Sequence, residues 1–259
     1  MGACLLYEWR RITSIRSTYV LAFLFFASTG LVAFLVYQVS GAGIPAEEGG
    51  LAGGDVPLGV IVQAGTNFLS AIFVTTVAAQ SFGHEYRYGM VRLTLSEFPR
   101  RPQVYAAKLL MVLVWVAALY LVSIAVAVAV VRLAGGQVGL GGPELGEQLL
   151  RAGLYLLGYC TIAFALTALT RNLILGVVIP LLLGAVVEPL ASAGLSDRLP
   201  WLPGYLPISA GQRFLSGDQA NAVMGADATA AIPSGGLVFL AWVVVLAVVA
   251  LVLFDRRDA

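Results

Sequence analysis

Six long apolar runs alternate with short polar segments along this chain of 259 residues. They cover residues 18–39, 56–82, 109–131, 152–170, 173–191 and 235–254, and only the fifth holds a charged side chain, Glu188. A helix rises about 1.5 Å per residue, so runs of this length cross the roughly 30 Å of a bilayer's hydrocarbon. The pattern predicts an all-α polytopic membrane protein with six transmembrane helices in a single transmembrane domain over residues 1–259. Ahead of the first run, Leu5, Trp9 and Ile12 recur at i, i+4 and i+7, with Glu8, Arg10 and Arg11 off that stripe. This predicts an N-terminal amphipathic helix at the interface. A signal peptide is the competing reading, and the uncharged length from Tyr19 to Tyr37 exceeds the usual cleavable core.

The polar segments set the topology. The most basic is His84–Lys108, where Arg87, Arg92, Arg100, Arg101 and Lys108 face only Glu85 and Glu97. Within it, Val91, Leu95 and Phe98 fall on one face of a short helix over Tyr88–Phe98, closed by Pro99 and able to dock a soluble partner. Ser40–Asp55 has no Lys or Arg and fits an external loop. Placing Arg10, Arg11, Arg16, Arg87, Arg92, Arg100, Arg101, Lys108, Arg171, Arg256 and Arg257 inside leaves only Arg132, Arg151, Arg198 and Arg213 outside. Both termini are then cytoplasmic by the positive-inside rule.

Two further segments have readable local structure. Arg171–Asn172 leaves a tight turn, making the fourth and fifth spans antiparallel neighbours, and Gly176, Pro180 and Gly184 allow close packing along the fifth. Pro200, Pro203 and Pro207, interleaved with Trp201 and Tyr205, predict a re-entrant or interfacial element before the last span. The pair Glu147 and Arg151 reads as a solvated helix start.

Composition agrees: 59% of residues are hydrophobic and 11% charged. Nothing points to nucleic acid. Cys4 and Cys160 form no CxxC or Cys/His cluster, so neither a disulfide nor a metal site is expected. The chain has no GxxxxGK[ST] phosphate loop and no HExxH, and its one histidine is His84. It is therefore not expected to be an enzyme, and any ATP hydrolysis belongs to another chain. No repeated pore loop or charged ring of a channel is legible.

The order Glu85–x–Arg87–x–Gly89, then an apolar stretch, then Pro99–Arg100 and Lys108 opening the next span, resembles the first cytoplasmic loop of type-2 ABC exporter permeases. Met90 departs from the pattern, where Thr is more usual after the glycine. The resemblance implies an N-terminal elbow helix, a cytoplasmic coupling helix and an external re-entrant hairpin before the last helix. It assigns coupling to an ATPase to Glu85, Arg87, Gly89, Arg92, Leu95, Pro99 and Arg100. It further implies a permease subunit of an ATP-driven exporter in the bacterial cytoplasmic membrane. The expected partners are a cytoplasmic ABC ATPase, a second or homologous permease and membrane lipids, with ATP and Mg bound in the ATPase and no cofactor in this chain. The expected cargo is a peptide, an antibiotic or a lipid-like molecule. An ion-coupled secondary transporter working without an ATPase is the alternative.

Two sets of residues remain as candidates inside the spans. Gln63, Thr66, Asn67 and Ser70 at i, i+3, i+4 and i+7 of the second run are expected to line a substrate path or to bond a neighbouring helix. Glu188 is the candidate functional acid, about 16 residues or roughly 24 Å beyond the cytoplasmic turn and so near the outer interface.

Overall fold

A computed structural model describes residues 2–41, 55–66, 68–98, 100–139, 145–195, 199, 201–216 and 235–256. Helix α1 (Gly2–Ser14) is parted from α2 (Arg16–Gly41) by Ile15 alone. Strand β1 (Asp55–Pro57) leads into α3 (Leu58–Gly65), which is followed by α4 (Phe68–Arg87), α5 (Val91–Glu97) and α6 (Arg101–Leu133). Strand β2 (Gln137–Gly139) precedes α7 (Leu145–Thr170) and α8 (Leu173–Leu182). A π-helical turn (Leu183–Val187) joins α8 to α9 (Glu188–Leu195), and α10 (Leu202–Tyr205), α11 (Pro207–Ser216) and α12 (Gly235–Arg256) complete the fold. The two strands pair in parallel, with Val56 opposite Val138. Most of the expected external loop over residues 40–55 and all of residues 217–234 lie outside the described residues.

Five helical stretches among the described residues are long and apolar enough to cross a membrane: Arg16–Ser40, Arg101–Leu133, Leu145–Thr170, Leu173–Gly194 and Gly235–Arg256. The remaining apolar run, expected as one helix over residues 56–82, is broken. Helix α3 ends at Thr66 (φ −85°, ψ 42°), and α4 runs on past Phe82 to Arg87. The sequence at the break explains it, because Gly65 weakens a helix and Thr66 offers a hydroxyl that competes for nearby backbone carbonyls. Thr66 Oγ1 donates to the Gln63 carbonyl at 2.8 Å, and Ser70 Oγ donates to the Gly65 carbonyl. Carbonyls at a helix end inside an apolar bundle need such partners.

Helix α7 is the axis of the bundle. Of its most apolar window 72% is buried, against 17–28% for the other four spanning stretches. Beyond Arg151 it carries no charge and is largely apolar all round, so every face can take a neighbour, and α4, α8 and α12 pack along it. Close approach of α8 requires Gly176, where a Cβ would collide with Thr167 Oγ1 and lie 3.0 Å from its Cα. One aromatic cluster joins four helices: Phe82 of α4 lies 5.1 Å from Phe164 of α7 and 5.2 Å from Phe254 of α12, and Tyr105 of α6 lies 5.1 Å from Phe164. Outer faces keep large apolar side chains exposed, among them Phe23, Leu121, Ile174 and Leu240, as suits helices whose other neighbours are lipid tails.

Candidate functional site

The site lies where α1, the end of α4, α5 and the start of α6 meet. Its centre is a closed ring of alternating charge. Lys108 Nζ donates to Glu8 Oε1 at 2.6 Å and to Glu85 Oε1 at 2.5 Å. Arg11 donates through one terminal nitrogen to the same Glu85 oxygen and through the other to the Ser81 carbonyl. Its Nε stands 3.5 Å from Glu8 Oε2, an ion pair without hydrogen-bond alignment. The side chains of Lys108, Glu8 and Glu85 are at most 2% exposed and that of Arg11 is 14% exposed. Each charge has two opposite neighbours, so the ring is neutral as a whole. That arrangement offsets the desolvation that would make any single buried charge untenable. The Lys108 ammonium also lies 5.4 Å from the centre of the Phe82 ring, a cation–π contact that ties the ring to the aromatic cluster beneath.

Helix α1 therefore turns a different face inward from the one its apolar stripe predicts. Cys4, Glu8 and Ile12 are buried, whereas Trp9 is exposed. Glu8 reverses the expectation because Lys108 makes its burial favourable. The Trp9 and Tyr19 rings instead lie edge-on to Trp115 at 6.3 and 6.5 Å. Burial first, and then the Glu8 carboxylate, push the Cys4 thiol above its ordinary range, so it is a poor nucleophile.

The same ring adjoins the turn from α4 into α5. Gly89 has φ 66°, and the Met90 amide donates to the Glu85 carbonyl at 2.9 Å while that of Gly89 reaches Tyr86 at 3.4 Å. This pair of bonds closes α4 with a Schellman motif, which demands a left-handed residue and so a glycine. Helix α5 then turns Val91 and Thr94 inward, with Leu95 and Phe98 packed beside Cys4, Val104 and Ala107. The apolar face expected to dock a soluble partner is thus spent on the protein itself. The outward face holds Tyr88, Met90, Arg92 and Leu93, the last 70% exposed.

The structure divides the sequence candidates accordingly. Glu85 and Leu95 face inward, while Arg87, Gly89, Arg92 and Arg100 are exposed and Pro99 lies outside the described residues. The stripe Gln63, Thr66, Asn67 and Ser70 is not one helical face, because the break intervenes. Gln63 Nε2 donates to the Leu215 carbonyl of α11 at 3.3 Å, Thr66 and Ser70 bind backbone at the break, and Asn67 lies outside the described residues. Glu188 is 2% exposed and caps α11. Its carboxylate accepts from the Ile208 amide at 2.9 Å, the Ser209 amide at 2.6 Å and Ser209 Oγ at 2.7 Å. Sequence reasoning missed Glu8, Arg11 and Lys108 as partners of Glu85, and the signal was there: a lone lysine opening an apolar run needs a buried acid. The described residues contain no cluster of His, Cys, Asp and Glu able to hold a metal.

Comparison with curated proteins returns no match. A family model described as ABC-2 family transporter protein matches residues 9–187, from α1 through the π-helical turn. That match spans well over half of the chain and takes in the helix break, the α4–α5 turn and all of the charge ring except Glu8. The chain thus belongs to the ABC-2 family of transporter proteins, whose members are the membrane permeases of ABC transporters.

Proposed function

We propose that this chain is the membrane-spanning subunit of an ATP-driven exporter in a bacterial cytoplasmic membrane. It works as a pair of permeases, identical or homologous, with a separate ATPase that holds ATP and Mg. In this reading the chain crosses the membrane six times. The broken pair α3–α4 makes the second crossing, and both termini lie on the cytoplasmic side with α1 and α5.

One observation carries the reading: α5 is rigidly seated and yet presents Arg92 and Leu93 outward. Its inward face packs on α1 and α6, and the Schellman turn at Gly89 joins it to α4 one turn beyond Glu85 of the charge ring. A push on the outward face therefore reaches α1, α4 and α6 together. That is what a lever between an ATPase and a helical bundle requires. The apolar interior favours peptides, antibiotics or lipid-like molecules over small inorganic ions.

Copurification tests it. A tagged chain brings down a P-loop ATPase, and Leu93→Glu abolishes the association without lowering Tm. Leu95→Ala, on the inward face, lowers Tm instead. An association that survives Leu93→Glu would move the docking face elsewhere.

A further inference from the structure

An apolar groove of about 440 Å³ runs along the first half of α12, lined by Leu237, Val238, Ala241, Trp242 and Val245 together with Tyr205 of α10. No charged side chain is among them. The notch has a cause in the sequence. Ala241 stands one turn from both Leu237 and Val245, so a single methyl lies between two larger side chains on one face of the helix.

The aromatic wall of the groove is fixed before anything enters it. Trp242 Nε1 donates to the Tyr205 carbonyl at 2.8 Å, which ties α12 to the end of α10 and satisfies the indole. The Trp201 ring meets that of Tyr205 edge-on at 6.0 Å. An occupant therefore spends little free energy on ordering these side chains.

We infer that the groove holds one acyl chain of a membrane phospholipid, with the glycerol and headgroup beside Trp201 and Tyr205. The length fits, because Leu237 to Val245 is a rise of eight residues, about 12 Å along the axis against roughly 15 Å for one leaflet's hydrocarbon. The direction fits too, since a helix that crosses the bilayer runs alongside lipid tails, and aromatic rings at one end suit the headgroup level. The groove is continuous with the face on which Leu240, Val244 and Val248 are already exposed to such tails. A helix of a second copy would need a strip along most of α12, but the groove stops at Val245, far from Arg256. Residues 217–234 of this chain have only Val223, Met224 and Ile232 as larger apolar side chains, too few to fill it. The inference rests on the proposed topology only for the leaflet, the outer one, that supplies the lipid.

The test uses the purified full chain, stripped of lipid in a neutral detergent and followed by native mass spectrometry. The probes are phosphatidylglycerol and phosphatidylcholine with the same acyl chains. Both should be retained alike, as a single lipid per chain, because the groove reads the tail and not the headgroup. Ala241→Phe fills the notch and should weaken retention of both about tenfold, the scale of an overpacked site. It should leave Tm in lipid-free detergent unchanged, since position 241 is exposed. Val252→Phe, on the exposed stretch of α12 beyond the groove, should retain lipid as the unaltered chain does. A phosphatidylcholine with a photoreactive group in its acyl chain gives a reading that needs no variant. It should label residues 237–245 and Tyr205 in preference to Leu190 of α9, which is as exposed as Leu237. Undiminished retention by Ala241→Phe, or labelling spread evenly over the groove and Leu190, overturns the inference. A strong preference for one headgroup overturns it in favour of a charged site elsewhere. Loss of permease pairing in Ala241→Phe with lipid retention intact assigns the groove to a second copy instead. None of these measurements uses the ATPase, so their failure leaves the exporter reading standing.

Discussion

Glu188 holds Ser209 twice, accepting from its amide at 2.6 Å and from its hydroxyl at 2.7 Å, and so fixes the start of α11 against the far end of α8–α9. The carboxylate sits directly after the π-helical turn and is 2% exposed. Tyr159 supports the same kinked region by donating to the Pro180 carbonyl at 2.8 Å. Replacing Glu188 with Ala leaves the buried Ile208 amide and the half-buried Ser209 amide without this acceptor, and a buried group so orphaned costs about 1–3 kcal/mol. Glu188→Ala is expected to lower Tm clearly and Ser209→Ala, which removes one hydroxyl contact, to lower it less. Equal, negligible effects would show that α11 is held by other contacts.

The charge ring predicts a particular non-additivity. Lys108→Met removes the shared partner of two buried carboxylates and should destabilise the protein by about 3–5 kcal/mol. Adding Glu85→Gln to Lys108→Met removes a stranded charge as well as a partner, so the double variant should be more stable than Lys108→Met alone. Thermal unfolding of the single and double variants in one detergent measures this. Additive losses would mean that the four groups do not act as a unit.

At the helix break, Ser70→Ala frees the Gly65 carbonyl. Side-chain hydrogen bonds across membrane helices average about 0.6 kcal/mol and reach about 1.7 kcal/mol, which sets the scale. The variant should lose stability within that range and keep its substrate profile, whatever the cargo is. A changed profile with unchanged stability would return Ser70 to a substrate path.

His84 lies at the end of α4, beyond the apolar run. Burial, then the charges of Arg11 and Arg87, lower its pKa from the ordinary 6.5. The unfolded chain therefore takes up the proton first as pH falls. The contribution of His84 is complete above about pH 6.5 and is lost progressively as pH drops toward its lowered folded value. His84→Gln should flatten the acid limb of a stability–pH curve below about pH 6.5. Parallel curves for the two proteins would exclude His84 as a source of acid sensitivity.

Much of this architecture could be read from the chain because its causes are local. The apolar runs, the tight turn at Arg171–Asn172 and the glycine at position 89 each report a requirement of their own neighbourhood. The break at Thr66 was half legible: Gly65–Thr66–Asn67 is turn chemistry within an apolar run, but a stripe of polar residues at helical spacing concealed it. The inward face of α1 was not legible, because Glu8 is buried only by virtue of Lys108 far along the chain. The inward seating of Val91 and Leu95 failed for a related reason. An amphipathic helix records that it has an apolar face, not whether its own protein or another covers that face.

The separation of Glu8 and Lys108 also bears on how the molecule is made. They are 100 residues apart, and a ribosome adds about 5–20 residues per second. Helix α1 thus waits about 5–20 s with a carboxylate that has no lysine to meet. An amphipathic helix can spend that interval lying on the membrane surface with Glu8 in water and Trp9 in the headgroups. The inward face closes only when α6 enters the bilayer. The last step of seating α1 is then also the step that makes the Lys108 end of α6 tolerable in the membrane.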